Sequence, residues 1–174
     1  DTARVSRGRA QVSANMTRDL VQRLFAEIVV PHLDDAYGLA RWLTGNPSDA
    51  EDVVQDACMK ALAALKTAGV RNGRAWLLTI VRNTALTRLA RRRGERLVTP
   101  DDLEDAAGAD PDPSPEEKLI ARIDATQLTH AIAALPLTFR ETLVMREMND
   151  LSYREIAEAT GVPVGTVMSR LARA

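Results

Sequence analysis

The last quarter of the chain, residues 151–171, has the pattern of two short helices joined by a tight turn. Ser152 and Glu155 have the spacing of a capping box, in which each side chain bonds the backbone of the other residue. Gly161 marks the end of the first helix because glycine adopts the left-handed conformation without steric cost. Pro163 lies near the start of the second helix, where its missing N–H costs little. The pattern predicts a helix-turn-helix, which places its second helix in the major groove of DNA.

The second helix of this pair has a buried side and a polar side. Val167 and Leu171, four residues apart, are expected to face the core. The opposite face is expected to meet base edges and phosphates. The residues assigned to it are Gly165, for close approach of the backbone, and Thr166, Ser169, Arg170 and Arg173. The alternative is a plain helical hairpin packed in a core. The capping box, the turn at Gly161, the start of the second helix at Pro163 and its polar face together favour DNA binding.

Apolar residues recur at helical spacing along the whole chain, and no strand pattern persists. The predicted fold class is all-α, with two small helical domains. Of the 174 residues, 45% are hydrophobic but only 3% are aromatic, so leucine, isoleucine, valine and alanine must fill the core. The one cysteine, Cys58, fits a reducing cytoplasm and is expected to be a small, buried or half-buried side chain.

The composition gives no sign of a metal, cofactor or membrane site. His32 and His130 are far apart, so no zinc-ligand spacing exists, and no apolar run approaches the roughly 20 residues that span a bilayer. No nucleophile–base pair or phosphate-binding loop is recognisable, which argues against a small helical enzyme. We predict a cytoplasmic protein with no cofactor and no membrane insertion.

Composition divides the chain into four segments. Residues 1–17 are interpreted as an expression-vector remnant or a disordered native arm, and residues 18–94 as a first helical domain. Residues 95–117 are rich in proline and aspartate, which predicts a flexible acidic linker. Residues 118–174 are interpreted as the second helical domain.

Breakers and caps predict where the helices lie within these domains. The predicted helices are one ending near Pro31, one over Leu33–Leu43, one capped by Ser48 or Asp49, one from about Arg74 to Arg93, one over about 119–135 and one over about 138–148, followed by the helix-turn-helix.

Charged residues are segregated into three blocks. Residues 50–58 hold three acids and no base, residues 70–93 hold seven arginines and no acid, and residues 99–117 hold eight acids and no base. An isolated block is usually a solvated face. Three blocks in series, on recognisable elements, indicate separate surfaces for separate partners.

Three stretches carry a resemblance to a known family: residues 49–57, DAEDVVQDA; residues 74–83, RAWLLTIVRN, with Arg91–Arg93 after them; and Ala134–Pro136 with Phe139–Glu141 before the helix-turn-helix. In this order and spacing they resemble the extracytoplasmic-function (ECF, group 4) sigma factors of the bacterial sigma-70 family. The resemblance implies a region 2 bundle that binds core RNA polymerase and melts the −10 promoter element, and a region 4 helix-turn-helix that binds the −35 element. It also implies an anti-sigma factor as a partner, and no enzymatic activity.

The resemblance assigns core polymerase binding to the acidic helix, at Asp49, Asp52, Gln55 and Asp56. The three aspartates share a helical face because their spacings are three and four, and carboxylates suit a basic partner helix. The alternative is compensation of the helix dipole together with solubility, and for Asp49 a capping role.

The resemblance assigns −10 DNA binding to the loop and helix that follow. Proteins that hold single-stranded DNA combine a positive groove with a pocket or stacking surface, and asparagine amides can contact base edges. The assigned residues are Lys66, Arg71, Asn72, Arg74, Arg82, Asn83, Arg88, Arg91, Arg92 and Arg93. Trp76 is interpreted as a core residue, with base stacking as the alternative.

A free-standing helix-turn-helix regulator is the alternative function. Such a protein binds DNA without polymerase, often as a dimer, and its first domain senses a ligand. The acidic helix and the arginine triplet argue against it, and no strand-rich or pocket-like sensor is recognisable in the sequence.

Overall fold

The computed structural model describes residues 18–95 and 126–174. The predicted arm, residues 1–17, and all but the first residue of the predicted linker lie outside the described residues. Within the described residues every regular element is helical and none is a strand, which confirms the all-α prediction. No helix in these two stretches combines the length and apolar character that crossing a membrane requires.

Four helices form the first domain. The described part of α1 covers 18–28, and a 3₁₀ turn, Val30–His32, leads from it into α2, Leu33–Thr44. Next come α3, Pro47–Ala64, and α4, Gly73–Glu95. α2, α3 and α4 pack against one another. Their apolar faces bury Leu39, Leu43, Val53, Ala57, Leu77, Leu78 and Val81.

The start of α3 differs from the prediction. Asn46 is the N-cap, because its Oδ1 accepts a hydrogen bond from the backbone N–H of Asp49 at 3.2 Å. Pro47 is the first helical residue, where its fixed φ favours the helix and its missing N–H is not needed. The predicted caps, Ser48 and Asp49, are wrong because both residues lie inside the first turn.

The helix α4 begins one residue before its predicted start and ends two residues after its predicted end. Asn72 caps it, since its Oδ1 accepts a hydrogen bond from the backbone N–H of Ala75 at 3.1 Å. Two packing interpretations are confirmed nearby. Trp76 is partly buried against the core, and Cys58 is half-buried, where burial raises the pKa of its thiol.

The second domain holds four further helices: α5, with a described part over 126–134, α6, Leu137–Glu147, α7, Tyr153–Thr160, and α8, Val164–Leu171. The predicted capping box is confirmed, because Ser152 Oγ accepts from the N–H of Glu155 at 3.3 Å and Glu155 Oε2 accepts from the N–H of Ser152 at 2.7 Å. Gly161 ends α7 with a φ of 71°, as predicted, and Pro163 precedes α8.

The two domains are in direct contact. α2 packs against α6, and α4 packs against α7. Buried apolar residues form one cluster that runs from Val29 in the first domain to Val167 in the second. The sequence predicted two tethered domains and did not predict this contact.

Candidate nucleic-acid interface

The acidic face of α3 is divided between solvent and partners within the chain. Gln55 and Asp56 are exposed. Asp49 is buried, with 7% of its side chain exposed, and it forms ion pairs with Arg92 and with Arg88, whose Nε lies 3.6 Å from Asp49 Oδ1. Asp49 and Asp52 lie on one side of α3, since both contact Arg88, but Asp49 is not accessible to a partner.

The acidic and basic blocks partly neutralise each other. Asp52 is half-exposed and pairs with Arg88 of α4, the same arginine that approaches Asp49. These pairs form because α3 and α4 pack together. The interpretation that each block serves a separate partner is therefore incomplete, since part of each block is used inside the first domain.

Two more arginines of α4 are held by carboxylates. Arg74 Nε donates to Asp35 Oδ2 at 2.7 Å. Arg82 donates to both oxygens of Glu141, from Nε at 2.8 Å and from Nη2 at 3.0 Å. Glu141 belongs to α6 of the second domain and its side chain is only 2% exposed, so this bidentate ion pair is buried between the domains.

The remaining −10 candidates lie on the loop before α4 and along that helix. The candidates that the structure leaves exposed are Lys66, Arg71, Asn72, Asn83, Arg91 and Arg92. Arg93 lies near the end of α4. These positive groups and the two amides therefore lie on the loop and along the length of α4.

Asn72 also joins this loop to the helix-turn-helix. Its Nδ2 donates to Glu155 Oε1 in α7. The hydroxyl and backbone N–H of Ser152 lower the pKa of Glu155, and Asn72 and the charge of Arg74 lower it further against the opposing effect of burial. The carboxylate is therefore ionised at neutral pH and stabilises both the start of α7 and its contact with the loop.

The recognition helix α8 presents most of its predicted face to solvent. Gly165, Ser169 and Arg173 are exposed, and Thr166 is half-buried. Three of the five residues assigned to the −35 surface are thus exposed, and the assignment of this face to DNA stays a prediction.

The outward orientation predicted for Arg170 is wrong. Its Nη1 lies 3.5 Å from Glu141 Oε1, and 18% of its side chain is exposed. Residue 170 follows the buried Val167 by three positions, so it lies at the edge of the buried stripe. Glu141 balances its charge there and thereby approaches arginines from both domains.

Two family models match the chain. The model described as Sigma-70 region 2 matches residues 28–95, and the model described as Sigma-70, region 4 matches residues 125–174. The RNA polymerase sigma-H factor of Pseudomonas aeruginosa is 36% identical over 162 residues, which cover 88% of this chain and 83% of the relative. The chain belongs to the ECF sigma factors of the sigma-70 family. Its two domains are regions 2 and 4 of that family.

Other similar proteins are also sigma factors. SigV of Bacillus subtilis is 29% identical over 160 residues, with 90% of each protein covered. The ECF sigma factor SigE of Mycolicibacterium smegmatis is 33% identical over 151 residues, but the chain spans only 57% of that relative's length. Among solved structures, the sigma factor RpoE in complex with the anti-sigma factor NepR from Bartonella quintana has a TM-score of 0.67 and 25% identity, covering 90% of this chain and 91% of RpoE.

Three features of this sigma factor were not predicted from the sequence: the structural role of Arg140, that of Glu141, and the exposed apolar side of α8. Arg140 donates to the carbonyls of Ala133 at 2.6 Å, Leu135 at 3.0 Å and Trp42 at 3.2 Å, and burial lowers its pKa. Glu141 of the same Phe-Arg-Glu stretch also had no role predicted from the sequence. The structure shows that this buried carboxylate pairs with Arg82 and approaches Arg170. The exposed apolar residues of α8 were also missed, although their spacing of four was readable.

Proposed function

We propose that this chain is the promoter-specificity subunit of bacterial RNA polymerase, binding core polymerase through region 2 and placing regions 2 and 4 on the −10 and −35 elements. The observation that carries the proposal is the match to both regions in one chain, with a recognition helix whose outer face is exposed. The chemistry of transcription then belongs to the polymerase and not to this chain. The proposed site of action is the bacterial cytoplasm, where the polymerase transcribes.

The exposed part of α3 is the proposed docking site for core polymerase. Gln55 and Asp56 are exposed and adjacent, whereas Asp49 is buried and Asp52 pairs with Arg88. A carboxylate beside an amide suits a basic helix, with charge setting orientation and association rate. We assign the main contacts to Gln55 and Asp56 and a peripheral one to Asp52.

Replacing Gln55 and Asp56 together with alanine is expected to weaken binding to core polymerase about tenfold, since a hydrogen bond to a charged group contributes about 1.5 kcal/mol. Co-elution of the full chain with sigma-free core polymerase on a sizing column measures this. The matched control is Gln22→Ala with Glu27→Ala, an exposed amide and acid on α1. Equal binding by both double variants and the unchanged chain would refute this docking site.

The proposed −10 surface is the loop before α4 together with α4 itself. Lys66, Arg71 and Arg91 are exposed there, and they supply the positive charge that a single strand requires. Arg74, Arg82, Arg88 and Arg92 are paired with carboxylates. Those four can contact phosphate only when DNA competes with the intramolecular acids.

Promoter binding also requires the two domains to separate. The two elements are named for positions about 25 base pairs apart, roughly 80 Å of duplex at about 3.4 Å per base pair. Domains of this size have radii of gyration of roughly 10–13 Å, so two touching domains do not span that distance. An anti-sigma factor is the proposed partner that keeps the chain from polymerase, a role supported by the complex of the similar sigma factor RpoE with NepR.

Two glycines of the helix-turn-helix are expected to respond oppositely to alanine. Gly161 has a φ of 71°, so Gly161→Ala should cost about 1 kcal/mol of stability. Gly165 is the second residue of α8, and a Cβ added there would meet nothing within 4 Å, so Gly165→Ala should add at most about 0.5 kcal/mol. Chemical denaturation measures both.

The affinity of Gly165→Ala for DNA distinguishes an effect on stability from an effect on DNA recognition. If the backbone at Gly165 approaches DNA closely, Gly165→Ala weakens binding to a −35 duplex even though the protein is more stable. Unchanged DNA affinity in a stabilised Gly165→Ala variant would remove Gly165 from the proposed −35 surface.

A further inference from the structure

The exposed side of the recognition helix consists of two parallel rows. Residues four positions apart lie on the same side of a helix. The rows are Val164, Met168 and Ala172, and beside them Gly165, Ser169 and Arg173. All six residues are exposed, with 41% of Val164 and 54% of Met168 accessible to solvent. The first row is wholly apolar, and the second holds the polar side chains.

The polar row accounts for phosphate and hydrogen-bonding contacts. Arg173 is the exposed cation of this face, since Arg170 is turned toward Glu141. Ser169 Oγ already donates to the carbonyl of Thr166 at 2.9 Å, so its remaining capacity is to accept hydrogen bonds. No side chain of the apolar row can donate a hydrogen bond to a phosphate or a base edge, and its one acceptor, the thioether sulfur of Met168, is weak.

The major groove presents one apolar group to such a row, the C5-methyl of thymine. From residue 164 to residue 172 the row extends about 12 Å at about 1.5 Å per residue, the length of roughly three base pairs. Methionine suits this contact because its unbranched, polarisable side chain adapts to an irregular surface. Val164, one turn earlier, extends the same apolar surface.

We propose that Met168, with Val164 beside it, determines −35 specificity by packing on the 5-methyl groups of thymines. The inference rests on the proposed promoter-binding function and names what its recognition helix selects. Thymine at the contacted positions is favoured because it buries a methyl group that cytosine lacks. An apolar docking site for a protein is the competing use of this row, and the two uses give different results with modified DNA.

The test begins with −35 duplexes enriched from a randomised pool by the full chain bound to core polymerase. Each thymine of the enriched element is then replaced singly by deoxyuridine, which removes only the methyl group. Affinities are measured for the unchanged chain, for Met168→Ala, for Val164→Ala and for Met148→Ala, an exposed methionine after α6 that serves as the control.

Deoxyuridine at one or more positions should weaken binding by the unchanged chain about three- to fourfold per methyl group. Met168→Ala should lose most of this discrimination at its position, whereas Met148→Ala should keep it. Enriched elements without thymine, or discrimination that survives in both Met168→Ala and Val164→Ala, would overturn the inference alone. Failure to bind core polymerase, or to enrich any −35 sequence, would overturn the proposed function and this inference with it.

Discussion

Replacing Ile156 by alanine is expected to unfold region 4 while leaving region 2 folded. Ile156 is fully buried in α7, and truncation of a buried isoleucine to alanine costs about 2–5 kcal/mol. A single core in a domain below about 70–80 residues rarely supplies more than about 3–5 kcal/mol. The loss is therefore comparable to what the core within residues 126–174 supplies, and the contacts with α2 and α4 are then the main support left to region 4.

Tryptophan fluorescence and circular dichroism weight the two regions differently, although the Trp42 carbonyl also accepts a hydrogen bond from Arg140 of region 4. Trp42 and Trp76 both belong to region 2, whereas circular dichroism reports helices of both regions. In Ile156→Ala, part of the helical signal should be lost at low denaturant, before the main fluorescence transition. The variant should lose binding to a −35 duplex but keep co-elution with core polymerase.

The conservative variant Ile156→Val provides the control, with an expected cost of about 0.5–1.5 kcal/mol. It should keep region 4 folded and keep −35 binding. A single transition in Ile156→Ala, coincident by both probes and unchanged in midpoint, would contradict the assigned place of Ile156 in the core of the helix-turn-helix.

The helix-turn-helix was predictable because its signals are local. Ser152, Glu155 and Gly161 act on backbone groups within a few residues, so their sequence spacing nearly determines their geometry. The prediction of where α3 begins was wrong, also for a local reason. Asn46 is the N-cap and Pro47 the first helical residue. Ser48 and Asp49, which are also residues that favour N-cap positions, lie one and two residues further on, inside the first turn.

The charge pairs were not predictable because they join residues far apart in the chain. Arg82 and Glu141 are 59 positions apart, and Arg92 and Asp49 are 43 positions apart. A helical face predicted from spacing identifies which residues share a side, but it does not identify the helix that packs against that side. Arg170 illustrates this, because an arginine beside a buried stripe faces outward unless a carboxylate such as Glu141 lies opposite.

Replacing Gly73 by alanine is expected to destabilise region 2 by about 1–3 kcal/mol, the usual cost of an overpacked site. A Cβ at Gly73 lies 2.8 Å from the backbone oxygen of Ile28 and 2.9 Å from its Cγ2. The oxygen belongs to the backbone at the end of α1, so a side-chain rotation cannot relieve both contacts. The gain in helix propensity is small here because Gly73 is the first residue of α4 and not an interior one.

The displacement should reach the proposed −10 surface. Asn72 caps α4 next to the clash, and the exposed Lys66 and Arg71 lie on the loop that ends there. Gly73→Ala is therefore expected to weaken binding of a −10 single strand by the full chain with core polymerase, in addition to lowering the denaturation midpoint.

The control is Gly69→Ala, in the same loop, where a Cβ meets nothing within 4 Å. It should leave both stability and single-strand binding nearly unchanged, because it adds a methyl group to open space. If Gly73→Ala lowers stability but binds the −10 strand as the control does, the contact between Gly73 and Ile28 does not position the −10 surface. If the stability and the −10 strand binding of Gly73→Ala both fall, the close contact between Gly73 and Ile28 holds the loop where a −10 strand can reach it.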